Sequence, residues 1–217
     1  MGRLCNVQPL ISMIRTALEF IKKELESYIV TREQDSSYPA GSVVDLKSIV
    51  SPNGQVNVTD TTHVTLMLVG VDEERREGKR SHYIPTEDKM FFRLNPPVEL
   101  DLFVLFAAHK MNYETALRDL SDIIGFFQAN PVFDAIKYPA LNASVNKPDE
   151  KPWQMIERLS FMLQSLTFEQ QNNLWAMLGS KYIPSVVYRM KMITFFETKS
   201  NQKVASIAEL DFLGSSQ

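Results

Sequence analysis

The sequence predicts an α+β domain with a mainly antiparallel or mixed sheet, packed by a long N-terminal helix and two further helices. Three observations lead there. Apolar residues recur at three- and four-residue steps from 9 to 33, and they recur at two-residue steps in three later segments. Helical and extended stretches do not alternate regularly, which argues against a run of βαβ units. The chain has 217 residues, 44% of them apolar, enough to bury a sizeable core, and its eleven prolines and eight glycines are too few for a fibrous or disordered chain. We expect one domain over residues 1–217, with a core from about 9 to 197 and a tail from 198 to 217.

The first helix rests on Ile11, Ile14, Ala17, Leu18, Ile21, Leu25, Tyr28 and Ile29, with Arg15, Glu19, Lys22, Lys23 and Glu26 opposite them. The polar turn-forming run from Asp35 to Gly41 ends it. Val44, Leu46 and Ser48 then alternate with Asp45, Lys47 and Ile49 as an imperfect strand. Asn53-Gly54 signals a tight turn into a short return strand at 55–57. Val64–Val71 is apolar on both faces and reads as a central strand. Residues 72–82 hold four acids and four bases, so they belong in a solvated loop. Val98, Leu100, Leu102, Val104 and Phe106 form the clearest two-residue period in the chain.

Asn112 is placed to cap a second helix whose stripe is Tyr113, Ala116, Leu117, Leu120, Ile123, Ile124 and Phe127, and Asn130-Pro131 ends it. Residues 138–153 read as an exposed connection. Met155, Leu159, Phe161 and Leu163 suggest a strand, with Glu157 out of phase. Thr167 and Gln170 have capping-box spacing for a short helix through Leu174, Trp175 and Leu178, closed by Gly179. A last strand follows over 185–197, with Val186, Tyr188, Met190 and Met192 on one side.

Composition narrows the chemistry. Twenty-three Lys+Arg against 26 Asp+Glu leave a net charge of -3, so no broad basic field exists to wrap nucleic acid. The single cysteine, Cys5, rules out an internal disulfide framework and a multi-thiolate metal site, and fits folding in a reducing compartment. The longest apolar run, 98–108, is interrupted by Glu99 and Asp101 and falls short of a membrane span, and the N-terminus lacks the pattern of a secretory signal. We therefore expect a soluble protein made and folded inside the cell, without direct membrane insertion. Phosphate-cradling glycine loops and the G-x-S-x-G elbow are absent from the sequence.

His63, His82 and His109 have no partner at metal-ligand spacing and read as surface or strand-end residues. A dispersed site joining one of them to Asp101 or Glu114 is the catalytic alternative. Glu99 and Asp101 share a strand face about 7 Å apart, which suits paired-carboxylate chemistry or, more simply, a solvated or interface-facing acidic face. Phe126, Phe127, Phe133, Trp153 and Trp175 read first as packing residues, with an interface anchor the alternative for Trp153 beside Pro152. We expect no catalytic residue, cofactor or metal.

The segments also carry a resemblance. Ile14-Arg15-Thr16-Ala17-Leu18-Glu19-Phe20-Ile21, the strand 64–71, and Pro96-Pro97 running into Leu100, Leu102, Leu105 and Ala108 follow one ordered pattern. Leu120–Phe127 with Asn130-Pro131-Val132-Phe133, Leu166–Gln170 with Leu174-Trp175, and the strand 183–190 continue it. Together they resemble the tail-cap, or tail-terminator, proteins of extracellular contractile injection systems of the antifeeding-prophage type, over about residues 9–197. Two positions depart: Phe103 stands earlier than the aromatic of the family's motif, and Ala107 replaces its usual Thr. Some members also carry a C-terminal extension, whereas about twenty residues follow the last strand here.

The resemblance implies a homohexameric ring on the distal end of a tail-like particle. Its partners would be further copies of itself, the inner tube protein and the contractile sheath protein. On that basis Arg75, Arg76, Lys79 and Arg80 in the charged loop, Trp153, and Leu210 and Phe212 in the tail are expected interface residues. An assembly chaperone or adaptor of the same particle is the alternative. A docking protein is expected to tolerate alanine at all three histidines; an enzyme is not.

Overall fold

The structure is a computed structural model and describes residues 13–74, 82–85, 90–94, 98–143, 155–194 and 203–205. Helix α1 (Met13–Glu33) buries Ala17, Leu18, Phe20, Ile21, Leu25 and Ile29, the stripe expected from its period. Gln34 in left-handed backbone (φ 50°) follows it, and Asp35 accepts from the Ser37 amide to turn the chain. Glu26, on the polar side of α1, accepts from the amides of Gly41 (2.7 Å) and Val43 (3.1 Å), which ties the turn back to the helix.

Strands β1 (Val44–Leu46), β2 (Val64–Glu73), β5 (Val98–Ala108), β6 (Val132–Asp134), β7 (Ile156–Gln164) and β8 (Ser185–Thr194) form a six-stranded sheet in the order β1-β2-β5-β8-β7-β6. Only β1 and β2 pair in parallel; every other neighbour is antiparallel. The architecture is thus the α+β arrangement expected, with a mixed sheet. A second sheet, β3 (His82–Pro85), β4 (Met90–Leu94) and β9 (Lys203–Ala205), is antiparallel throughout. β3 starts at the last residue of the expected charged loop, β4 lies in a stretch given no element in the sequence reading, and β9 falls in the expected tail. Tyr83, Ile84, Phe91 and Phe92 supply the extended-backbone preference that the surrounding charges obscured.

Helices α1 and α2 (Tyr113–Ala129) cover one face of the large sheet, where Leu66, Leu102, Val104, Phe106, Leu159, Tyr188, Met190 and Met192 join their core. Phe127 stacks on Phe161 at 4.5 Å, and Phe20 meets Phe133 edge-on at 5.5 Å, so these phenylalanines are packing residues as expected. On the other face lies α3 (Phe168–Leu178), where Trp175 packs with Ile49, Leu105, Ala107 and Val187. Both faces of β5 are therefore covered along Leu102–Ala108, and its inner residues are buried on either side.

Several expectations need correction. The return strand at 55–57 reduces to a single bridge between Val50 and Val56. β2 is internal but next to the edge strand, and its burial fades from Val64 to an exposed Val71, because β1 flanks only its first three residues. The connection at 138–153 is not exposed throughout: Leu141, in a 3-10 turn (Pro139–Asn142), is fully buried. Glu157 is out of phase because it is the extra residue of a bulge between Ile156 and Arg158, so Ile156 and not Met155 shares the buried face with Leu159.

The stripe of α2 is also rotated. Ala116, Asp119, Asp122, Ile123, Phe126 and Phe127 face inward, while Tyr113, Leu117 and Ile124 are exposed. Two aspartates thus occupy the inward face of a helix, an arrangement possible only with partners to receive them.

Candidate assembly surface

The His63 and His109 side chains are engaged in separate contacts. His63 is buried at the start of β2: its Nε2 donates to the Ser37 carbonyl (2.9 Å) and its Nδ1 lies 3.0 Å from Asp119 Oδ2. The Tyr38 hydroxyl donates to Asp119 Oδ1 at 2.7 Å, and Arg118 Nε donates to the Tyr38 oxygen at 3.1 Å. Burial and the adjacent carboxylate push the Tyr38 phenol well above its ordinary range. His63 stands at a strand end, as one of the expected readings has it, but it is buried and not on the surface. It is a bolt between the α1–β1 turn, β2 and α2, and with Asp119 fully buried it offers a substrate no access.

His109 follows β5 and is half-buried. Its Nε2 lies 3.0 Å from Thr65 Oγ1 and 3.3 Å from Thr62 Oγ1, and its Nδ1 has no partner among the described residues. Burial, reinforced by the Lys47 charge, lowers its pKa to about 4, so the ring is neutral. Asp101 lies eight residues earlier on the same strand, roughly 26 Å away by strand rise, so the two do not meet. Asp101 instead sits 3.8 Å from Arg189 across the β5–β8 pair, and Lys191 binds Glu74. Asp101 is thus met by a cation from the neighbouring strand. Among the described residues no group of three or more His, Cys, Asp or Glu side chains could hold a metal ion. The His82 side chain and Cys5 lie outside the described residues.

What the surface does offer is apolar area and open strand edge. Helix α3 is well terminated: Thr167 and Gln170 form the predicted capping box, and Gly179 closes the helix at φ 66°. Yet it buries only Trp175, leaving Phe168 92% and Met177 67% exposed. Between it and the sheet runs a groove of about 400 Å³ lined by Val69, Phe103, Leu174, Met177 and Val187.

At the sheet edges, β1 pairs only with residues 64–66 of β2, and β6 only with residues 158–160 of β7. Among the described residues no strand pairs with the outer edge of β2 beyond Met67, nor with that of β7 beyond Phe161. Sequence reasoning missed this groove because exposure of an apolar helix face depends on what lies beneath it. The seven expected interface residues, Arg75, Arg76, Lys79, Arg80, Trp153, Leu210 and Phe212, all lie outside the described residues.

A family model described as the Pvc16 N-terminal domain matches residues 16–208. The fold is similar to that of the sheath/tube terminator of an extracellular contractile injection system, PVC, in the extended state. That likeness has a TM-score of 0.56 at 9% identity and covers 98% of this chain and 65% of the other. The anti-feeding prophage tube-terminating cap gives a TM-score of 0.55 at 10% identity, over 92% of this chain and 59% of that one. This chain therefore spans less than two thirds of either solved chain. No curated protein matches the sequence significantly.

Proposed function

The chain belongs to the Pvc16 N-terminal domain family, and from that premise we propose that it is a structural cap, ending the inner tube and sheath of a phage-tail-like contractile injection particle. The observation that carries this reading is the shared fold: 98% of the chain follows a solved sheath/tube terminator and 92% follows a tube-terminating cap. A docking role fits this geometry, in which the buried Tyr38, His63 and Asp119 are joined to one another in structural contacts.

A cap must satisfy the last exposed edges of a polymer without presenting an equivalent edge for the next layer. The partly open borders of β2 and β7 and the apolar groove beside α3 are surfaces suited to that task. Further copies would meet head to tail and close into a ring, most simply of six, with tube on one side and sheath on the other. Assembly takes place in the cytoplasm, before the particle reaches its final site. The charged loop and the tail add contacts through Arg75, Arg76, Lys79, Arg80, Leu210 and Phe212, with Trp153 as a further anchor.

Electron microscopy of particles from a strain lacking the chain tests the proposal. Abnormally long or uncontrolled tubes, restored to normal length by the intact chain, are the expected result. Protein found on assembling particles but missing from finished ones would identify a chaperone instead. Normal particles without the chain would end the cap reading.

A further inference from the structure

Asp122 is buried on α2 with its side chain 2% exposed, and it faces the C-terminal end of α1. Arg32 Nε on α1 lies 3.0 Å from its Oδ1, whereas its Oδ2 is buried and meets no donor. Beside it is Glu33, whose side chain is 13% exposed and binds Arg118 at 3.2 Å. The remaining charged or titratable neighbours are already committed. Tyr28 accepts from Arg32 at 2.8 Å; Asp119 receives Tyr38 and His63; Arg118 is shared between Tyr38 and Glu33. Three carboxylates from two helices therefore meet here, and one buried carboxylate oxygen has nothing to satisfy it.

A proton resolves that deficit. Bound to Asp122 Oδ2 it makes a hydroxyl, which can donate to the Glu33 carboxylate, and one of two adjacent negative charges disappears. We propose that Asp122 and Glu33 share a proton taken from solvent, forming a pH-sensitive latch that tightens α1 against α2 on mild acidification. The electrostatics agree: burial first, then the Glu33 charge, pushes the Asp122 carboxyl up to about 6, with Arg32 opposing. For an acid raised in the folded state, the stabilising contribution is full below the ordinary value of 3.8 and lost as pH rises through about 6. The latch is therefore closed near pH 5 and weakened above pH 7. Close helix approach makes it local, since a Cβ on Gly125 would come within 3.3 Å of the Tyr28 hydroxyl.

The test compares urea unfolding of the whole chain with that of Asp122→Asn from pH 4.5 to 8. The two share every other titrating group, so the difference between them isolates Asp122. Between pH 7.5 and 5 the folding equilibrium constant of the unsubstituted chain should rise roughly 10-fold relative to the variant. Parallel pH profiles would overturn the proposal. Carbon-13 titration of the Asp122 carboxyl in the intact chain needs no variant: an apparent pKa near 6 supports the latch, and one below 4.5 refutes it. Glu33→Gln, which removes the neighbouring charge, should move that titration downward, and an unmoved titration would exclude Glu33 as the partner.

Discussion

Asp119 sits at 0% exposure, accepts from Tyr38 and lies 3.0 Å from His63 Nδ1, so removing any member of the set strands a polar group in the core. We expect His63→Ala or Asp119→Asn to cost about 3 kcal/mol or more, measured by urea unfolding. The alanine test at the three histidines must be read accordingly, because loss of function at His63 would report unfolding and not chemistry. His109 gives a signed pH prediction. Its folded-state pKa of about 4 lies below the ordinary 6.5, so its contribution is fully present above 6.5 and lost as pH falls towards 4. A His109→Gln variant should show a flatter stability profile over that window, with unfolding midpoints as the measure.

At the level of elements, α3 carries good ends on a thin base. Its capping box and its left-handed closing glycine satisfy the terminal backbone groups, but one buried indole holds it to the sheet. Thr167→Ala should cost about 1 kcal/mol, and Gly179→Ala a similar amount because a Cβ is strained at φ 66°. Trp175→Ala should cost about 3 kcal/mol or more and release α3 first, seen as faster amide exchange confined to residues 168–178. The β7 bulge and the rotated stripe of α2 belong to this scale too. Each moves polar residues relative to the core without altering the type of element, and each was invisible to a period count. Glu157 broke a two-residue alternation for a reason that lies in its partner strand, and the inward aspartates of α2 depend on Arg32, Tyr38 and His63 from other elements.

For the whole molecule, the proposed cap depends on surfaces distributed around the large sheet rather than on a central pocket. Neutralising Arg75, Arg76, Lys79 and Arg80 together should weaken incorporation into particles while leaving the unfolding midpoint within the range of surface substitutions, about 0.5 kcal/mol. Ending the chain after Ala205 keeps β9 and removes Leu210 and Phe212, so it tests the tail without deleting a strand. Incorporation is scored by counting particle ends that carry the protein. Unchanged incorporation in both variants would remove the loop and the tail from the interface and leave the α3 groove and the strand edges as the contact surfaces.

Local patterning by itself determined the helices at 13–33, 113–129 and 168–178, the caps at Asn112, Thr167 and Gly179, and the long strands at 98–108, 156–164 and 185–194. These follow from periodicity and from backbone hydrogen bonds satisfied within a few residues. The ordered motifs added the family. Tertiary structure alone decided that β1 runs parallel to β2, that His63 and Asp119 meet across 56 residues, and that α3 leaves an apolar groove open. Those outcomes depend on which distant surface supplies a hydrogen bond or covers an apolar side chain, and no local run of residues encodes its own partner.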